Sequence, residues 1–109
     1  MLLIIKRKAT KEEIKKMAKD SDGYIKLVVD VEKGILAGGG ERHYEGEQRL
    51  LAEGSAQSGL WGGGMDLATG EIDYNSIINL RPHQNNPSRD ILSTVIRKKF
   101  AKIVNKLLF

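Results

Sequence analysis

The densest polar run in the chain is Asn79-Leu80-Arg81-Pro82-His83-Gln84-Asn85-Asn86-Pro87-Ser88-Arg89, which holds two guanidinium groups, an imidazole and several amides. Such an inventory can hold a carboxylate or a phosphate, because Arg pairs with either through two parallel hydrogen bonds. The N–H groups at the start of a following helix add further donors for an anion. Asn75, Asn79, Arg81, His83, Asn85 and Arg89 are therefore the candidate ligand-binding residues, with Arg81 and Arg89 pairing with the anion and the Asn residues orienting it. The competing explanation is that the amides cap a long irregular connection and satisfy its backbone.

Two glycine triplets, Gly38-Gly39-Gly40 and Gly62-Gly63-Gly64, are candidates for close backbone approach to a ligand. Neither leads into a Lys-Ser/Thr pair or shows the G-x-G-x-x-G spacing of a phosphate loop. The competing explanation is bare strand backbone packed under a neighbouring element. Imidazole comes only from His43 and His83. Glu41, His43, Glu45 and Glu47 alternate, so an extended chain would project all four from one face. That spacing matches no metal signature, and a solvated acidic loop accounts for it, so neither metal nor cofactor is expected. No serine lies in a G-x-S-x-G setting, and Asp66, Glu71 and Asp73 read as the polar tip of a hairpin.

The elements that must position these groups follow from periodicity. Leu2 to Ile5 reads as a short inner strand buried on both faces. Thr10-Lys11-Glu12-Glu13 is a capping box opening a helix with Ile14, Met17 and Ala18 on one stripe, stopped by Asp20-Ser21-Asp22-Gly23. Ile25, Leu27, Val29 and Val31 form one apolar strand face, and Glu32-Lys33-Gly34 turns the chain back into Ile35-Leu36-Ala37. A second hairpin joins roughly 59–67 to 71–80 around Asp66 to Gly70, with an additional short strand over Gln48 to Glu53 between turns. Ser93 caps a final helix whose stripe is Ile96, Phe100, Ile103, Val104, Leu107 and Leu108. The expected fold is α+β: a small, curved, antiparallel or mixed sheet of five or six strands, in the order β-α-β-β-(β)-β-β-α, with two helices gathered over one face.

At 109 residues the chain reads as one domain, and its 29% charged and 40% hydrophobic residues are those of a folded globular protein. Without a single Cys it has no disulfide, thiol catalysis or Cys-based metal site, which suits a reducing, cytoplasmic setting. The apolar start is too short for a signal-peptide core, and no later run approaches membrane-spanning length. Net charge of +4 hides a segregation: residues 1–19 carry +5, residues 20–95 carry −6 and residues 96–109 carry +5. Basic ends folded against an acidic middle explain this electrostatically. If the ends instead formed one patch, Lys6, Arg7, Lys8, Lys15, Lys16, Lys98, Lys99 and Lys102 would meet a phosphate backbone. Few aromatics are left over for stacking bases, which counts against nucleic acid.

Taken in order, Ile25-Lys26-Leu27-Val28-Val29-Asp30, Gly34 to Glu41, Leu60-Trp61-Gly62-Gly63-Gly64, Glu71 to Ser76 and Asn79-Leu80-Arg81-Pro82 resemble a family of short prokaryotic single-domain proteins catalogued only as a domain of unknown function. The resemblance spans nearly the whole chain and implies a protein that stands alone, with no assigned catalytic residues. The leading expectation is a non-enzymatic binding protein for an anionic small molecule or a protein partner at the polar strand face and the 81–89 connection. Nucleic-acid binding through the basic helices is the alternative, a small hydrolase or transferase the third reading, and a homo-oligomer is compatible with all three.

Overall fold

In the computed structural model, which describes Met1–Phe109, the chain runs through β1 (Leu3–Ile5), α1 (Lys11–Ala18), β2 (Tyr24–Asp30), β3 (Ile35–Gly38), α2 (His43–Ala52), β4 (Leu60–Asp66), β5 (Ile72–Asp73) and α3 (Thr94–Leu108). The five strands form an antiparallel sheet in the order β1-β3-β2-β4-β5, so the fold is α+β.

Local chemistry accounts for the boundaries. The Thr10 hydroxyl accepts from the Glu13 N–H at 3.1 Å while the Glu13 carboxylate accepts from the Thr10 N–H at 2.9 Å, which starts α1. The β2–β3 turn is built on Asp30, buried at 2% exposure. Its Oδ1 accepts from the Glu32 and Lys33 amides, its Oδ2 accepts from the Ser55 hydroxyl at 2.7 Å, and its carbonyl accepts from Gly34 N–H. Gly34 sits at φ +71°, where a side chain would be strained. The Ser93 hydroxyl caps α3 by accepting from Ile96 N–H at 3.2 Å.

Alternation along β2 sorts the core. Ile25, Leu27 and Val29, with Leu36, Trp61 and Met65, pack under Met17 of α1 and Phe100, Val104 and Leu107 of α3. Val28, Ala37 and Leu60 face the other way and meet Leu50 and Leu51 of α2 and Ile78.

The second layer differs from the expected one-sided arrangement. Residues 43–52 are a helix rather than turns and a strand. Its sheet-facing positions include Gly46, Glu47 and Leu50, so the buried stripe carries one glycine and one carboxylate and does not read as apolar. Gly46 sets the depth of contact: a Cβ there would stand 3.0 Å from Val28 and 3.2 Å from Ala37. The grouping that an extended 41–47 segment would give is thereby dispersed, since every-second residues on a helix point in different directions. The strand β1 is an edge strand paired only with β3, and its Leu3 and Ile4 are half-buried. β5 is two residues long, and the expected extension through Leu80 is instead a loop with short 3-10 turns at 77–79 and 82–84.

Candidate functional site

Before Gly64, β4 has no strand on the side away from β2, because β5 pairs only with Gly64 and Met65. The polar run folds against this open edge. Asn79 is fully buried, and its amide meets Gly62 as a strand would: Oδ1 accepts from Gly62 N–H at 2.8 Å, and Nδ2 donates to Gly62 carbonyl at 2.9 Å. The same Nδ2 lies 3.1 Å from the Tyr74 carbonyl and 2.9 Å from that of Arg89. Arg81, 4% exposed, continues the edge by donating to the Leu60 and Gln57 carbonyls at 2.6 Å each, with its guanidinium 4.0 Å above the Trp61 ring. Its Nε has no acceptor. Burial pulls the guanidinium below its ordinary pKa, and the Glu47 carboxylate opposes that shift. Asn86, which the sequence did not single out, is also buried; its amide reaches the Asn79, Ser88 and Asp90 carbonyls and accepts from Leu92 N–H.

The other nominated residues stay outside this knot. Asn75 is exposed and donates to Asp90, Asn85 is an exposed left-handed residue at φ +58°, and the side chains of His83 and Arg89 lie at the surface. No residue from 74 to 98 lines any of the three surface clefts. The glycines of both triplets face atoms of the chain itself. A Cβ at Gly38 would meet Met17, one at Gly39 the Met1 carbonyl, and one at Gly40 Glu45 and Leu2. At Gly62 it would meet Ser76, at Gly63 the Asp73 carbonyl, and at Gly64 the Tyr24 hydroxyl. Over Gly64 the Tyr24 ring crosses β4, and its hydroxyl donates to Asp73 at 2.5 Å; burial and that carboxylate hold the phenol well above its usual pKa.

His43 opens α2 and donates Nε2–H to the Gly63 carbonyl at 2.6 Å. Glu45 serves the backbone, its Oε1 accepting from the Glu41 and Arg42 amides. Burial lowers the His43 pKa, the Gly63 bond raises it, and the charges of Lys26 and Asp73 act in opposite senses.

Among the cations without an ion-pair partner, three on α3 share a cleft. A cleft of about 310 Å³ opens between this helix and the β2–β3 turn, with Lys99, Lys102 and Lys106 along one wall, Val31 and Ile103 as its apolar surface, and Glu32 to Gly34 opposite. The helix contains no acidic residue. The ion pairs elsewhere join the Met1 ammonium to Asp20, Lys6 to Glu53 and Lys15 to Glu12, and none involves α3. The N-terminal basic segment is thus partly neutralised by the acidic middle, whereas the C-terminal one is not. Lys33 turns its ammonium to the Gly54 carbonyl at 3.0 Å, and the Glu32 carboxylate carbon lies 3.1 Å from where a Gly59 Cβ would stand.

Residues 3–107 match a family described as "Protein of unknown function (DUF5674)". No curated protein and no solved structure matches the chain.

Two outcomes follow from the geometry. Arg81→Ala orphans two carbonyls and opens space beside Trp61, so it should cost roughly 2–4 kcal/mol in denaturant unfolding, while His83→Ala and Arg89→Ala stay within about 0.5 kcal/mol of wild type. Equal, small effects from all three would contradict the edge-sealing role. Because His43 binds a proton less readily folded than unfolded, its neutral form stabilises the fold above about pH 6.5, and that contribution is lost as pH falls toward the lowered folded value. His43→Gln should flatten this part of the stability–pH profile; an unchanged slope would place the titration elsewhere.

Proposed function

The chain belongs to that family, and we propose that it acts as a non-enzymatic binding protein for an anionic ligand taken up in the lysine-lined cleft between α3 and the β2–β3 turn. One observation carries the reading. Lys99, Lys102 and Lys106 share a cleft, yet no carboxylate lies within ion-pair distance of any of them, although residues 20–95 contain twelve acidic groups. Three like charges held on one wall repel one another, and an anion between them converts that repulsion to attraction. The apolar surface of Val31 and Ile103 reduces local screening and so strengthens the attraction.

The polar run at 75–92 supports this placement indirectly. Asn79, Arg81 and Asn86 spend their polar groups on backbone, so an anion there would have to displace bonds that hold the loop to β4. At α3 the ammonium groups of Lys99, Lys102 and Lys106 hold no ion pair that an anion would have to break.

Isothermal titration with inorganic tripolyphosphate at low ionic strength is expected to show saturable binding that Lys99→Glu/Lys102→Glu weakens at least tenfold, with an unchanged melting temperature for the ligand-free variant. Absence of binding, or equal affinity in the variant, would overturn the reading.

A further inference from the structure

Resting on that anion-binding reading, we propose that the ligand class is an oligophosphate, an unbroken chain of phosphate groups. The cleft has charge but almost no directional donors. Every amide of the turn wall that could point at an anion is already spent: Glu32 and Lys33 N–H donate to the Asp30 carboxylate, and Gly34 N–H donates to the Asp30 carbonyl. The helix wall offers ammonium groups and no guanidinium, since Arg97 donates from Nε to the Ile91 carbonyl at 2.5 Å and lies over the Tyr74 ring.

That composition selects among anions. Planar carboxylates are best recognised by the two-pronged guanidinium fork, which this cleft lacks. Lysine ammoniums are compact point charges on flexible stems, and they respond to charge density from any direction. Steps of three and four residues place Lys99, Lys102 and Lys106 along about 10 Å of helix axis at 1.5 Å per residue. A short chain of linked phosphates delivers several charges within such a length. A nucleic-acid strand spreads single charges along a much longer track, and a cleft of about 310 Å³ between a helix and a four-residue turn accommodates only a short piece of one. Opposite the lysines the turn wall is open at Gly34, where nothing lies within 4 Å of where its Cβ would stand, and Glu32, whose carboxylate packs against Gly59, is the one acidic residue lining the cleft.

Two sources share this chemistry, the tail of a nucleoside triphosphate and inorganic polyphosphate. Titrations of the full chain with tripolyphosphate, ATP, citrate and a short single-stranded oligodeoxynucleotide matched in charge to ATP separate the outcomes. The proposal expects tripolyphosphate to bind at least tenfold more tightly than citrate or the oligonucleotide, with affinity falling steeply as salt rises. ATP within about threefold of tripolyphosphate means that the phosphate chain alone is read; markedly tighter ATP assigns the source to a nucleotide. Lys98→Glu, which changes charge by the same amount on an exposed position outside the cleft, is expected to keep affinity within about threefold, whereas Lys102→Glu loses at least tenfold. Citrate equal to tripolyphosphate would overturn the oligophosphate class and leave the anion-binding reading standing. An oligonucleotide that binds as tightly as tripolyphosphate would replace the class with a phosphodiester strand. Failure of every anion would remove both.

Discussion

A strand without a neighbour must still pair its backbone, and in this protein that requirement falls on β4. Its inner side is hydrogen-bonded to β2 over seven residues, while on the outer side β5 covers only the Gly64–Met65 end. The Leu60 carbonyl and both polar groups of Gly62 lie in a buried region, where each unmet hydrogen bond costs about 1–3 kcal/mol. Side chains complete the sheet. Asn79 presents an acceptor and a donor to Gly62 in the manner of a peptide unit, and Arg81 reaches Leu60 one pleat further on. Asn86 then ties the carbonyl of Asn79 back to the rest of the connection.

This constraint decides how the polar residues divide between structure and function. Arg, Asn and His in one loop form an attractive set for binding an anion, but the most buried members of the set are occupied by backbone. The glycine triplets follow the same logic, for the space above them is filled by Tyr24, Ser76, Asp73 and Met17. The row of lysines on α3 differs from these, on a helix anchored by Phe100 and Val104 against the sheet and carrying cations that form no ion pair with the acidic middle of the chain.

Legibility in the sequence tracked how local the determining interaction is. The capping box at Thr10, the Asp30–Gly34 turn, the alternating face of β2 and the stripe of α3 each depend on residues within a few positions of one another, and each forms as its pattern implies. The helix α2 is not legible in the sequence because the residues it presses onto the sheet include a glycine and a glutamate, and only the proximity of Val28 and Ala37 explains why a glycine belongs there. The edge position of β1 is a matter of strand order, which hydropathy does not encode. At the site, the residue types were visible and their partners were not: Gly62 is 17 positions from Asn79, and Leu60 is 21 from Arg81. The lysines of α3 were equally visible, but the cleft they share with residues 31–34 is a product of the tertiary fold.

Native-state hydrogen exchange at the Gly62 amide tests the edge-sealing account most directly, because this N–H points away from β2 and has the Asn79 side chain as its acceptor. The account predicts that it exchanges as slowly as the amides of the β2–β4 ladder. Exchange at the rate of a solvent-exposed edge would show that the Asn79 amide does not close the sheet, and the polar connection would then be free to serve a ligand.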